Sequence, residues 1–159
     1  MVQQPVRILV VDDEKDILQI VRYNLELHGF LVETAENGVD AIAKAKSFKP
    51  ELIILDLDMP GINGFEAARR IRQSPEDLNL QTPIIGVLAQ AFDRDREACF
   101  ASGMNDVILS NRLTSYANDF VSSALLARGE DMKGALVRGI DPALEGAVTD
   151  LAATNEKVL

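Results

Sequence analysis

Short apolar runs alternate with amphipathic stretches along residues 1–110. That alternation is the pattern of a parallel sheet covered by helices on both faces. Five such units can be read. Residues 7–11 hold the continuous run Ile8, Leu9, Val10 and Val11, as expected of a central strand. The next stretch sets Ile17, Ile20, Val21 and Leu25 at helical spacing before Gly29 supplies a C-terminal cap. Residues 31–34 give a second strand. Asn37 and Gly38 then open a second helix, in which Ala41, Ile42, Ala45 and Phe48 keep the spacing until Pro50 ends it. A third strand at 52–55 and a third helix at 64–73 follow. A looser segment with Ser74, Pro75 and Asn79 leads to a fourth strand at 83–88, a helix near 93–102 and a fifth strand at 106–109. A fifth helix near 113–127 closes a domain spanning 1–128.

Residues 129–159 are expected to form a C-terminal helical extension. Asp141 and Pro142 make a good N-cap and first-turn pair, and Leu144, Val148, Leu151 and Ala152 form one apolar stripe on the helix they would start. From Asp131 onward the acids Asp131, Asp141, Glu145, Asp150 and Glu156 outnumber the bases Lys133, Arg138 and Lys157. That balance does not suit a DNA-reading helix. The segment is also too short for an output domain with its own core.

Composition narrows the classes. A hydrophobic fraction of 47 % is enough to bury one core without metals or disulfides. The single cysteine, Cys99, excludes an internal disulfide, and no charged-then-apolar leader opens the sequence, so a cytoplasmic location is expected. The longest apolar runs fall far short of the roughly 20 residues that span a bilayer, which argues against a membrane protein. A net charge of −9 makes nucleic acid and anionic lipid unlikely partners.

Acidic residues collect where chemistry is expected. In a doubly wound sheet, ligands bind beyond the carboxyl ends of the strands, at the point where winding reverses. The first strand runs into Asp12, Asp13 and Glu14, and the third runs into Asp56 with Asp58 two residues later. Carboxylates converging there repel one another unless a cation intervenes, and Mg²⁺ suits one or two carboxylates, a carbonyl, waters and a phosphoryl oxygen. Asp56 would then be a nucleophile beside a metal that neutralises charge developing on transferred phosphoryl oxygens. The plain alternative is that Asp13 and Asp16 favour a helix N-terminus and Asp56 begins an ordinary turn. Against it, Met59, Pro60, Gly61, Asn63 and Gly64 describe a tight turn whose backbone can approach an ion.

Taken together, Ile8-Leu9-Val10-Val11-Asp12-Asp13-Glu14, Ala35-Glu36-Asn37-Gly38 and Leu52-Ile53-Ile54-Leu55-Asp56-Leu57-Asp58-Met59-Pro60-Gly61-Ile62-Asn63-Gly64-Phe65-Glu66 resemble the receiver domain of two-component response regulators. The likeness continues through Pro83-Ile84-Ile85 and Ala101-Ser102-Gly103-Met104-Asn105-Asp106, covering residues 5–127. It implies a flavodoxin-like (βα)₅ doubly wound parallel sheet, order 2-1-3-4-5. It further implies Asp56 as phosphoacceptor, Asp12 and Asp13 as metal-binding acids, the backbone carbonyl of Asp58 as the third protein ligand, and Mg²⁺ as cofactor. The implied partners are a histidine kinase or phosphotransfer protein and a downstream protein target. The chain would not be an enzyme beyond its own phosphorylation and dephosphorylation.

The family pattern also fails at particular places. Receivers carry Ser or Thr at the end of the fourth strand, Lys at the end of the fifth, and an aromatic residue three positions before that Lys. Ungapped alignment puts Leu88, Ser110 and Val107 at these positions, with Ala89 and Asn111 following the first two. Leu88 can offer neither a charge nor a hydrogen bond to a phosphoryl group, and Ser110 can donate only a hydrogen bond. Arg112 would need a rearranged loop, and a gap in the alignment would bring Ser102, Ser110 or Arg112 into play instead. The expectation is a phosphoryl acceptor whose conformational response is depleted. Its rivals are a phosphorylation-independent pseudo-receiver adaptor, a Mg²⁺-dependent phosphohydrolase, which lacks a cap domain and a suitable lysine, and a DNA-binding regulator.

Smaller signals have plain readings. His28 is expected to cap a helix, Cys99 to be a buried inert thiol, and Arg69, Arg70 and Arg72 to form a solvated face rather than a docking surface. Leu113, Tyr116, Phe120 and Val121 are read mostly as core. Any of them left exposed, or the stripe over 144–152, would serve a partner or a homodimer.

Overall fold

The computed structural model describes residues 4–74, 82–89, 93–110, 113, 114 and 121, with 93–95 as backbone only. Five parallel strands form one sheet in the order β2-β1-β3-β4-β5, the order implied by the resemblance. In chain order the elements are β1 (Arg7–Val11), α1 (Lys15–Leu27), β2 (Leu31–Ala35), α2 (Gly38–Ser47) and β3 (Leu52–Asp56). Then come α3 (Gly64–Arg72), β4 (Ile84–Leu88), α4 (Asp93–Ala101) and β5 (Asp106–Leu109).

The burial pattern follows from position in the sheet. The central strands β1, β3 and β4 are buried almost throughout, which suits their apolar runs, whereas the edge strands β2 and β5 are only partly buried. Successive side chains of a strand point to opposite faces, so β1 feeds two cores. Ile8 and Val10 pack with Leu18, Val21 and Leu25 of α1, and Leu113 and Val121 join the same layer. Leu9 and Val11 pack with Ala41 and Ala45 of α2, Ala67, Ala68 and Ile71 of α3, and Cys99 of α4.

Caps set the helix ends. Asn37 and Asn63 accept hydrogen bonds through Oδ1 from the backbone N–H of Asp40 (2.8 Å) and Glu66 (3.0 Å), satisfying first-turn donors of α2 and α3. His28 closes α1 as expected, with Nδ1 2.8 Å from the carbonyl oxygen of Asn24, and Gly29 follows at φ +87°, a conformation that favours glycine.

The differences from the pattern are local. β2 and β3 each run one residue further, to Ala35, which pairs with Val11 and is buried in the core, and to Asp56, where ladder pairing continues past the apolar run. β4 begins at Ile84, since Pro83 has no N–H to donate; its carbonyl still accepts from Ile53 (2.9 Å). Ile20, grouped with the core face by spacing, lies outside it; Leu18, Val21 and Leu25 are the buried residues of α1. Most of the fifth helix expected near 113–127, and all of the extension at 129–159, lie outside the described residues.

Candidate functional site

β1 and β3 are neighbours with Val11 opposite Leu55, so the residues that follow them, Asp12 and Asp56, emerge at the same end of the sheet. This is the point where winding reverses, with β2 added on one side of β1 and β3 on the other. The backbone N–H of Asp12 bonds to the Ala35 carbonyl (3.1 Å), and its Oδ1 accepts from the N–H of Glu14 (2.8 Å), turning the chain into α1. Oδ1 of Asp56 accepts from the N–H of Asp58 (3.2 Å). One carboxylate oxygen from each of Asp12, Asp13 and Asp56 lies within 4.8 Å of the others.

The electrostatics fit a cation site. Burial, and then the charge of Asp12, push the Asp56 carboxyl up to about 7. Asp12 rises to about 6, chiefly through burial, opposed by its bond to the Glu14 N–H and assisted by the charge of Asp13. Both acids therefore hold their protons to higher pH than an ordinary aspartate, Asp56 into the neutral range. The donors are all carboxylate oxygens, which suits a hard divalent ion such as Mg²⁺ rather than a metal seeking nitrogen or sulfur. The carboxylate of Asp58 is outside this cluster, so a role for Asp58 would fall to its backbone carbonyl.

The loop after β3 is held close to the pocket by lack of room. A Cβ on Gly64 would collide with the Asp56 carbonyl oxygen and come within 2.7 Å of Leu57 Cα, while the Gly64 N–H bonds to the Leu57 carbonyl (3.2 Å). Across the loop, a Cβ on Gly38 would lie 2.7 Å from the Ile62 carbonyl oxygen. Both glycines allow backbone segments to meet where another residue would push them apart.

The departures from the family pattern sit around this rim. Leu88 ends β4 and is buried in the same core layer as Leu57 and Met104. Val107 and Leu109 of β5 pack against that layer from its edge, with Leu88 opposite Leu109 and Gly86 opposite Val107. Ser110 is half-buried, and its carbonyl accepts from Thr114 Oγ1 (3.4 Å). Arg112 lies outside the described residues.

The three clustered arginines separate. Arg69 and Arg70 are exposed and pair with Glu66 at 3.1 and 2.9 Å. Arg72, expected on the same solvated face, turns inward instead. Its Nε donates to the Gly103 carbonyl (2.9 Å), Nη1 to the Thr82 carbonyl (2.6 Å) and Nη2 to Asn105 Oδ1 (2.7 Å). Asn105 Oδ1 also accepts from the N–H of Ile84 (2.9 Å), so one arginine ties α3 to the entries of β4 and β5. Nothing in the local sequence distinguishes Arg72 from its neighbours.

Fold and pocket together define a sheet with an acidic site at its switch point. The family model of the response regulator receiver domain matches residues 8–111, and the chain belongs to this family. It is a receiver domain of two-component signalling. It is 39 % identical over 103 residues to the phosphate regulon transcriptional regulatory protein PhoB of Rhizobium meliloti, a match covering 65 % of this chain and 44 % of that protein. The chain thus spans less than half the length of that relative. Among solved structures it resembles the chemotaxis response regulator CheY4 of Vibrio cholerae, with TM-score 0.64 and 28 % identity, over 72 % of this chain and 97 % of that one. It also resembles the receiver domain of sensor histidine kinase PA1611 from Pseudomonas aeruginosa, with TM-score 0.62 and 27 % identity, over 76 % and 100 % of the two chains. That structure has a magnesium ion coordinated in its active-site cleft. No helix among the described residues is long and apolar enough to cross a membrane.

Proposed function

We propose that this receiver accepts a phosphoryl group on Asp56, with Mg²⁺ held by Asp12, Asp13, Asp56 and the backbone carbonyl of Asp58. A histidine kinase or phosphotransfer protein donates the group, and the output is contact with another protein rather than with DNA. The observation that carries this reading is the convergence of three carboxylates within 4.8 Å where winding reverses. A carboxylate oxygen of Asp56 attacks phosphorus, and the bond to the donor breaks as the donor keeps its electron pair. When bound, the cation would offset charge on the phosphoryl oxygens and favour ionised Asp56. Asp12 and Asp13 would hold it there, and the Asp58 N–H fixes the direction of the Asp56 carboxylate. In this reading residues 1–128 are the receiver, 129–159 modulate its contacts, and the protein works in the cytoplasm.

A second reading is favoured by the packing of Leu88 and Val107. A phosphorylation-independent adaptor would bind its partner through a fixed β4–β5 surface, because apolar side chains there gain nothing from a phosphoryl group. Intact-protein mass after incubation with acetyl phosphate and Mg²⁺ decides between the two, with Asp56→Asn as control. A phosphate adduct on the wild type alone supports the acceptor; no adduct on folded wild type sinks it and leaves the adaptor.

A further inference from the structure

Helix α2 begins against the loop that carries Asp58. A Cβ on Gly38 would meet three atoms of Ile62, the carbonyl oxygen at 2.7 Å and Cβ and Cγ2 at 2.8 Å, so backbone and side chain of the loop both rest on the first turn of α2. The loop is also held at its root, where the Gly64 N–H bonds to the Leu57 carbonyl (3.2 Å). Asp58 lies between these two points of contact. The two sides of the seam are not equally fixed. Lys44, one turn along α2, donates through Nζ to the Thr34 carbonyl of β2 and pairs with Glu33 (3.4 Å) and with Asp40 of the first turn (3.2 Å). Asn37 caps the same turn, and Ala41 and Ala45 are buried beneath it. In the loop, by contrast, Asp58, Pro60, Gly61 and Asn63 are exposed. Added bulk at position 38 therefore displaces the loop rather than the helix. Ordinary contact begins at 3.4 Å, so the Ile62 carbonyl would retreat by about 0.7 Å.

We propose that Gly38 is a positioning residue of the cation pocket, because the first turn of α2 is the backstop that fixes where the Asp58 carbonyl stands. The proposal rests on the reading of that carbonyl as a ligand of Mg²⁺. Mg²⁺ demands near-octahedral oxygens at about 2.0–2.1 Å, whereas Ca²⁺ accepts about 2.3–2.6 Å in flexible geometry. A loop displaced by several tenths of an ångström thus penalises Mg²⁺ more than Ca²⁺, which can follow a moved carbonyl or take a water in its place. Loss of the backstop shows as a change of preference between the two ions, with none of the carboxylates altered. A general loss of stability would weaken both ions alike.

The test is amide-shift titration of the full ¹⁵N-labelled chain with Mg²⁺ and with Ca²⁺, comparing wild type, Gly38→Ala, Ile62→Ala and Ala45→Gly. Ile62→Ala empties the seam from the loop side without adding bulk, and it reads the same contact if Gly38→Ala does not fold. Ala45→Gly loosens α2 in the core, away from the loop, and is the structural control. Both seam variants should weaken Mg²⁺ binding by about tenfold and Ca²⁺ binding by less than about threefold, while the control keeps the wild-type ratio of the two affinities. Unchanged Mg²⁺ affinity, equal losses for the two ions, or the same change of ratio in Ala45→Gly overturns the proposal and leaves the cation pocket standing. Wild type that binds neither ion overturns the pocket itself, and the proposal with it.

Discussion

Asp56→Asn removes one of three crowded carboxylates while keeping the side-chain shape and an Oδ1 that can still accept from the Asp58 N–H. The folded protein binds the Asp56 proton more tightly than the unfolded chain, about 7 against 3.8. Stability linked to this group is therefore complete below pH 3.8 and is lost as pH rises through about 7. At 1.36 kcal/mol per pH unit, that interval sets an upper limit on the order of 4 kcal/mol for the cost of ionising Asp56. Solvent access to a half-buried pocket reduces it to about 2 kcal/mol. In chelator at pH 8, the asparagine variant should thus be more stable than wild type by about 2 kcal/mol, with the difference vanishing near pH 4. Urea unfolding of both proteins across this range reads the difference directly, since groups that do not interact with Asp56 cancel. Mg²⁺ should stabilise wild type more than the variant and narrow the gap. Equal stability at pH 8 without metal, or a gap independent of pH, would refute the argument that carboxylate crowding is the stored cost at this site.

Asp106, buried and raised to about 6 mainly by desolvation, lies at the opposite end of its strand from the rim. Asp106→Asn should raise thermal stability above pH 6, by at most about 3 kcal/mol, and give no gain below pH 3.8, as thermal melts at both ends would show. Arg72→Met deletes the bonds to Gly103, Thr82 and Asn105 and should cost about 2–4 kcal/mol in urea unfolding, with Arg72→Lys recovering only part of it. Gly64→Ala forces the loop away from the Asp56 carbonyl and should weaken Mg²⁺ binding roughly tenfold or more by calorimetric titration. Leu88→Thr with Ser110→Lys should enlarge the amide shift changes in β4 and β5 on addition of acetyl phosphate; unchanged spectra would count against depletion at these positions.

Much of this architecture was legible because its causes are local. Uninterrupted apolar runs mark central strands, and a run that ends in acids places those acids at the strand ends, so Asp12, Asp13 and Asp56 could be brought together before any geometry was known. Ile20 was harder, because 17, 20, 21 and 25 satisfy helical spacing nearly as well as the observed 18, 21 and 25. The extra residues of β2 and β3 were hidden because Ala35 follows the polar Thr34 and Asp56 is held by ladder pairing rather than by hydrophobicity. Arg72 was not legible at all. Its partners are two carbonyls and an amide more than nine residues away, and such acceptors exist at every position of a chain.

The burial of Leu88 bears on how readily position 88 can change. Its side chain now fills part of the core shared with Leu57, Met104 and the flank of Val107. Substituting threonine there leaves a void and a hydroxyl among apolar neighbours, at a cost of about 1–3 kcal/mol. Placing a hydroxyl on the rim at position 88 alone would therefore give a less stable protein, with Ser110 still unable to supply a charge. The packing thus makes position 88 a structural one, where a polar group would have to be accommodated before it could serve the rim.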